Sequence, residues 1–162
     1  MNYDVFLQLQ EGTLVRSEDE TEQAFMERVL RAAYVRKDGA EAERIYEKLT
    51  PDFVSCDSKA QSVTVSFVAE EWMLNPQDTL HGGIYTTAMD MTMSVLSRYV
   101  RKIRGTATVQ LSVNFIRPIN KGETFIITAT ADHNGRRSSV IRAELIAEAT
   151  GKLAATASGV FM

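Results

Sequence analysis

Apolar side chains recur every three or four positions between residues 84 and 100, a spacing that predicts one long and largely buried helix. Asp90 lies in the middle of this stretch. Burying even a neutral polar group without a partner costs about 2–7 kcal/mol, so a carboxylate at such a position usually has a partner or a function. Considered without its neighbours in the sequence, Asp90 is equally consistent with a stripe of polar residues on the solvent-exposed side of the helix. The predicted apolar stripe is Ile84, Ala88, Met91 and Val95, widened by Met89, Met93, Leu96 and Val100.

Alternating apolar and polar positions predict β-strands on both sides of this helix. Two strands precede the helix and four follow it, with short turns between them. Consecutive hairpins indicate an antiparallel sheet, so the predicted fold class is α+β. The predicted strands are 53–56 and 62–74 before the helix, then 106–115, 123–132, 138–147 and 152–161, and residues 133–135 are predicted to form a turn.

The first 50 residues are predicted to form a helical extension of a core domain at 51–162. Weak alternation in residues 1–16 predicts a short strand or an extended arm. A capping box at Ser17–Glu20 predicts a helix from Glu18 to Arg36, and a second helix is predicted at 40–49. We expect the extension to cover an open face or edge of the sheet; a partner-binding or regulatory role is the alternative. The buried side of the first helix is predicted to be Phe25, Met26, Val29, Leu30 and Ala33.

The long helix opens with His81-Gly82-Gly83, which leaves free backbone N–H groups at its positive end. Glycine lets a ligand approach this backbone closely, so the helix start is a candidate site for an oxyanion. Nine residues separate His81 from Asp90, a distance of roughly 13 Å along one helix. Both residues cannot contact one reacting carbonyl from the same chain. If they act together, Asp90 comes from a second copy, which predicts a symmetric dimer with two sites.

Asn75, six residues before His81, completes a motif that resembles the hotdog-fold acyl-CoA thioesterases of the phenylacetate-pathway family. The resemblance covers about residues 60–162. It implies a hotdog fold, in which an antiparallel sheet wraps one long helix and two such units form active sites at their interface. It also implies that Asn75 and the Gly82 N–H polarise a thioester carbonyl, while His81 shapes the loop. By the same resemblance Asp90 of the other subunit is the base or nucleophile, and the Thr108 hydroxyl positions water.

The phosphates of coenzyme A require local cations, since the chain has a net charge of -3. Arg136 and Arg137 rank first because relatives often carry a basic residue after this hairpin, and Arg117 is a further candidate, with Gly83 giving close access to the backbone. Other basic candidates are Arg101, Lys102, Arg104 and Lys121, and candidate acyl-pocket residues are Trp72, Leu74, Met89 and Met93, for which plain core packing is the alternative.

Composition narrows the possible partners, cellular compartments and metal sites. A net negative charge disfavours nucleic acid as a partner. Cys56 is the only cysteine, which excludes an intrachain disulfide and suits a reducing compartment, and the sequence carries neither a signal-peptide pattern nor a membrane-spanning run. With His81 and His133 as the only histidines, a metal site is poorly supported. We therefore expect a cytoplasmic protein that needs no metal or organic cofactor.

The leading hypothesis is a dimeric or tetrameric acyl-CoA thioesterase that releases a free acid and coenzyme A. A hotdog protein that binds acyl-CoA as a non-catalytic sensor is the alternative. A dehydratase lacks a second acid–base residue beside His81, and DNA binding through residues 18–49 is disfavoured by their balanced charge. The sequence leaves open the acyl group, the carrier (coenzyme A or an acyl carrier protein) and whether Asp90 is base or nucleophile.

Overall fold

The computed structural model describes residues 1–35 and 44–162. Four helices and six strands lie within them, together with a single 3₁₀ turn at Glu71–Met73. The helices are α1 (Asp4–Glu11), α2 (Glu22–Tyr34), α3 (Ile45–Lys48) and α4 (Gly82–Arg101). The strands are β1 (Asp52–Asp57), β2 (Ser62–Val68), β3 (Thr108–Phe115), β4 (Thr124–Asn134), β5 (Ser139–Ala147) and β6 (Lys152–Phe161).

All six strands form one antiparallel sheet in the order β1-β2-β4-β5-β6-β3. This sheet curves around α4, which contacts every strand from β2 to β6. The α+β class and the hotdog architecture are thereby confirmed. The predicted hairpin between β3 and β4 is wrong, because β3 crosses the sheet and pairs with β6 instead. Strand β3 is therefore an edge strand with only one neighbour within the subunit.

Helix α4 is buried on more than the predicted stripe. The sheet covers one side and α2 lies against another, so every side chain from Met91 to Ser97 is buried. Two of its polar members bond locally: the Thr92 hydroxyl donates to the Ala88 carbonyl at 2.8 Å and the Ser94 hydroxyl to the Met91 carbonyl at 2.9 Å. The Ser97 hydroxyl bonds to the Ser139 hydroxyl of β5 at 2.9 Å. Among the described residues, no helix is both long enough and apolar enough to span a membrane, and this includes α4.

The N-terminal extension differs from the prediction in its first element. Residues 4–11 form helix α1, not a strand or arm, because Val5, Phe6 and Leu9 share one face that packs into the core. Helix α2 begins at Glu22, four residues later than predicted, since the Thr21 hydroxyl accepts from the Ala24 N–H at 3.2 Å and caps it. The predicted buried side of α2 is confirmed.

Several predicted boundaries also change. The predicted helix 40–49 is described only as the single turn α3, and its break at Asp38-Gly39 lies outside the described residues. Strand β2 ends at Val68, six residues early, where the chain turns into the 3₁₀ segment. Residues His133 and Asn134 belong to β4, not to a turn, because they pair with β5.

Strand β3 is more exposed than its alternating sequence pattern predicts, since that pattern is typical of a strand with one face on the core. Val109 and Phe115 are 57% and 56% exposed, and Ile116, just after the strand, is 45% exposed. The alternation correctly identified a strand, but an edge strand leaves its outer row of N–H and C=O groups without partners. Its apolar side chains therefore mark a surface suited to contact with another chain.

We expect Gly159→Ala to destabilise the fold. A Cβ at this position of β6 would lie 2.9 Å from the ring of Phe161, which is fully buried, and 3.3 Å from the Gln110 carbonyl oxygen on β3. Overpacking of this kind costs about 1–3 kcal/mol in free energy of unfolding, measurable by urea denaturation. Gly105→Ala is the matched control, because nothing lies within 4 Å of its Cβ position. Equal loss in both variants would contradict the steric explanation.

Candidate active site

His81 caps helix α4 with its own side chain. The imidazole Nδ1 accepts a hydrogen bond from the Gly83 N–H at 2.9 Å, so the ring proton lies on Nε2. The His81 N–H donates to the Met73 carbonyl at 2.9 Å, which fixes the loop before the helix. The Gly83 N–H is thus used inside the cap. Gly83, predicted to contact substrate, has no free N–H to offer.

The Gly82 N–H is the donor that the cap leaves free. Among residues 1–35 and 44–162 it finds no acceptor, whereas the N–H groups of the next three residues all bond to His81. A Cβ at Gly82 would lie 3.5 Å from the Phe115 ring, in ordinary contact. The positive end of a 20-residue helix therefore presents one unpaired N–H beside an aromatic ring.

Asn75 organises the turn before the helix. Its Oδ1 accepts from the N–H groups of Gln77 at 2.9 Å and Thr79 at 3.2 Å, and its Nδ2 donates to the Thr79 hydroxyl at 2.9 Å. An amide NH₂ has two hydrogens, so one remains for a ligand. Asn75 is thus a turn residue whose second amide hydrogen is available.

Asn75 and Gly82 both line one cavity of about 320 Å³. Tyr85 and Phe115 wall it with a T-shaped ring pair, 5.6 Å between centroids. The Tyr85 hydroxyl donates to the Arg117 carbonyl at 2.9 Å, and burial raises the Tyr85 pKa to about 12, so the hydroxyl stays a donor at neutral pH. The other lining residues are Leu80, Ile116, Arg117 and Pro118.

The sequence interpretation missed Tyr85 and Phe115 as cavity walls. The one available signal was position: Tyr85 follows Gly82 by one helical turn, and Phe115 ends the strand before Pro118. The predicted acyl-pocket residues are elsewhere. Met89 and Met93 are fully buried core, which agrees with the alternative, and neither Trp72 nor Leu74 lines this cavity.

Asp90 pairs with Thr108 of the same subunit at an exposed position. The Thr108 hydroxyl donates to Asp90 Oδ1 at 2.7 Å, which joins the middle of α4 to the first residue of β3. Asp90 is partly exposed, and it does not line the cavity of Asn75 and Gly82. Eight residues separate it from Gly82, about 12 Å along the helix. Within one subunit the candidate residues therefore lie in two separate groups, Asn75 with Gly82 and Asp90 with Thr108.

The candidate phosphate-binding residues fall at opposite ends of the helix. Arg117 lines the cavity at the start of α4 and donates from Nη1 to the Leu153 carbonyl at 2.6 Å. Arg136 and Arg137 are exposed in the β4–β5 turn. Arg101, in the last turn of α4, donates from Nη2 to the Arg137 carbonyl at 3.1 Å and so lies against that turn. Arg117 and the Arg136–Arg137 pair thus belong to different regions of one subunit.

Comparisons with known proteins show which proteins this chain resembles in sequence and in fold. Residues 77–154 match the model of the thioesterase superfamily. Human acyl-coenzyme A thioesterase 13 is 28% identical over 118 residues, which cover 70% of this chain and 78% of that protein. A Caenorhabditis elegans protein named as an esterase, F42H10.6, is 27% identical over 110 residues, or 68% of this chain, and the matched stretch spans only 65% of its length. A phenylacetic acid degradation-related protein from Ralstonia eutropha has the same fold, with TM-score 0.69 at 26% identity, covering 83% of this chain and 96% of that structure.

Proposed function

We propose that this chain, whose residues 77–154 match the model of the thioesterase superfamily, is an acyl-CoA thioesterase that hydrolyses the thioester to a free acid and coenzyme A. The observation that carries the proposal is the unpaired Gly82 N–H at the start of α4, beside the spare amide hydrogen of Asn75 in one cavity. Two such donors stabilise a developing oxyanion. The name of the relative acyl-coenzyme A thioesterase 13 supports the choice of carrier.

A dimer through β3 would join the two groups of candidate residues. Strand β3 has Thr108, the partner of Asp90, at its first residue and Phe115, a wall of the cavity, at its last. These ends are about 24 Å apart along the strand. If a two-fold axis crosses the middle of two paired β3 edges, the first residue of one strand lies opposite the last residue of the other. Asp90 of one subunit then faces the Gly82 cavity of its partner.

The exposed apolar side chains of β3 favour this contact. Val109, Phe115 and Ile116 would be removed from water, and the unpaired N–H and C=O groups of the edge would gain partners. A tetramer made from two such dimers is a further proposal that follows only from the resemblance to the hotdog thioesterases.

In the proposed reaction, the thioester carbonyl oxygen accepts from the Gly82 N–H and from Asn75 Nδ2. Asp90 of the partner then acts in one of two ways. As a base it removes a proton from water, whose oxygen attacks the carbonyl carbon; as a nucleophile it attacks directly and water later cleaves the anhydride. In both routes the carbon–sulfur bond breaks and the sulfur leaves as coenzyme A thiolate. In the base route water supplies the acid's new oxygen; in the nucleophilic route water attacks the Asp90 carbon of the anhydride, so the acid takes its new oxygen from Asp90 and water replaces that oxygen. A single turnover in ¹⁸O-water separates the routes, because only the nucleophilic route places label in Asp90.

Thr108 is expected to hold Asp90 in its reacting orientation. Its hydroxyl occupies Oδ1, which leaves Oδ2 for the reaction. Thr108→Val keeps the shape but removes the donor, and we expect kcat to fall about 5- to 10-fold, corresponding to the loss of one ordinary hydrogen bond at an exposed position, with KM nearly unchanged. Thr108→Ser keeps the hydroxyl and should retain most of the activity. Steady-state kinetics on both variants test this, and a large KM change in Thr108→Val would contradict it.

Coenzyme A has negatively charged phosphates that require cations outside the cavity. Arg117 lies at the cavity, and Arg136 and Arg137 lie in the exposed β4–β5 turn. In the proposed dimer the site is shared, so each subunit can contribute from a different end of α4. We rank the Arg136–Arg137 pair first, and Arg101 is the next candidate because it lies against the same turn through its hydrogen bond to the Arg137 carbonyl.

The decisive experiment is thiol release from a panel of short, long and aromatic acyl-CoAs by the wild-type protein. Turnover of any member supports the enzyme, and the ranking identifies the acyl group. The same panel on acyl carrier protein decides the carrier. If acyl-CoA binds tightly by calorimetry and no member releases thiol, the sensor alternative replaces the proposal.

A further inference from the structure

A second cavity lies at the N-terminal extension, away from the cavity of Asn75 and Gly82. It measures about 340 Å³ and is formed by α1, α3 and the C-terminal half of α4. We call it the Arg98 cavity. Its lining residues are Met1, Tyr3, Asp4, Arg44, Tyr46, Glu47 and Arg98.

Arg98 provides this cavity with a cation that has few partners. Its guanidinium lies over the Tyr3 ring, 4.6 Å from the centroid, and its Nε is buried without a hydrogen bond. The contact from its Nη1 to the Ser94 hydroxyl is long, at 3.4 Å. No carboxylate of residues 1–35 and 44–162 forms an ion pair with it. A half-buried guanidinium normally pairs with an anion, so this one lacks its usual counterpart.

Two tyrosine hydroxyls near Arg98 are also poorly satisfied. The Tyr3 hydroxyl donates to a thioether, Met1 Sδ, at 3.4 Å, which is a weak acceptor, and it also interacts with the Arg98 guanidinium. The Tyr34 hydroxyl is buried without any hydrogen bond and interacts electrostatically with both Tyr3 and Arg98. Burial raises the Tyr3 pKa to about 12, so its hydroxyl keeps its proton. Unsatisfied donors concentrated beside one cavity point to an unfilled acceptor.

The walls select the kind of acceptor. Tyr3 and Tyr46 form a T-shaped pair, 6.2 Å between centroids, which offers an apolar surface next to the cation. Glu47 also lines the cavity and would repel a multiply charged anion. We propose that the Arg98 cavity binds a small organic monocarboxylate, with its carboxylate on Arg98 and the Tyr3 hydroxyl and its apolar body against the tyrosine rings. This site stands independently of thioester hydrolysis.

Calorimetric titration of the full chain tests the proposal with three probes: benzoate, its neutral analogue benzamide, and inorganic phosphate. We expect benzoate to bind with a Kd below about 1 mM and at least tenfold more tightly than the other two probes. Arg98→Gln should weaken benzoate binding by about tenfold or more, and Tyr3→Phe, which keeps the ring but removes the donor, by about fivefold. Arg31→Gln is the matched control. Arg31 belongs to the N-terminal extension and also lies over an aromatic ring, that of Phe53, but it does not line the Arg98 cavity.

Three results would contradict the proposed carboxylate site. Benzoate binding that is unchanged in Arg98→Gln would place the acid elsewhere, and binding equally weakened in Arg31→Gln would reduce the effect to net charge. Stronger binding of phosphate or benzamide would reject the carboxylate. Circular dichroism checks that each variant is folded. If Arg98→Gln is not, Tyr3→Phe and the benzoate–benzamide difference decide the question.

Discussion

Asp90→Asn is expected to lower kcat for thioester hydrolysis by about 10²- to 10⁴-fold, because the amide can neither accept the water proton nor attack the carbonyl. KM should change little, since in the proposed site Asp90 faces the reacting carbon and makes no contact with the phosphates. The substitution is close to isosteric, and the Thr108 hydroxyl can still donate to the new Oδ1. Its fold should therefore be retained.

Two controls make this result specific. Thiol release is followed at saturating acyl-CoA, and thermal unfolding of the variant is compared with that of the wild type. Asp132→Asn serves as the matched control, because Asp132 pairs with Arg142 on the outer sheet surface and lies far along the chain from either group of candidate residues. A residual rate above a tenth of the wild type in folded Asp90→Asn would remove Asp90 from the chemistry.

Asn75→Asp is expected to cost about 10²- to 10³-fold in kcat, the range measured for loss of one oxyanion donor. The new carboxylate keeps the Oδ1 that accepts from Gln77 and Thr79, so the turn can persist, but it replaces the donating NH₂ with a negative oxygen. That charge also opposes the developing oxyanion. Gln77→Ala, in the same turn, is the comparison for loss of turn geometry alone.

The pair of inactive variants then tests the shared site. In a purified heterodimer of Asp90→Asn and Asn75→Asp, carrying two different affinity tags, a site shared across the interface would be intact once and doubly defective once. We expect about half of the wild-type kcat per dimer. A site built within one subunit would leave both copies defective, so an inactive heterodimer would reject the shared arrangement.

Helix α4 and most strands followed from the sequence, because their side-chain spacing reports directly on burial. Helix α4 begins at Gly82, within the predicted opening His81-Gly82-Gly83, and the predicted bounds of β6 agree with the structure. Helix α1 was mistaken for a strand or arm since Val5, Leu7 and Leu9 alternate, while the residues that matter are Val5, Phe6 and Leu9 on a helical face. Eight residues are too few to distinguish the helical period of 3.6 residues from the strand period of two.

The candidate site could be predicted only as separate parts. The His81 cap and the spare donor of Gly82 are local features of sequence, so they were accessible. The cavity walls Tyr85 and Phe115 were not, because their contact depends on a strand crossing the sheet. The family resemblance indicated Asp90 and Thr108 separately, Asp90 as base or nucleophile and Thr108 as a residue that positions water. Their hydrogen bond was not predicted, because a span of 18 residues carries no local signal for it.

Strand β3 carries a consequence for how the molecule folds. Among the described strands β6 is the one that pairs with β3, and the pairing of Thr108 with Phe161 joins residues 53 positions apart. Such a non-local closure is entropically costly and slow, and it cannot occur until residues 152–161 have left the ribosome. The β3 edge is therefore assembled late. Nascent chains short of β6 would expose Val109 and Phe115 on an unpaired strand, which makes this stage the one most open to aggregation.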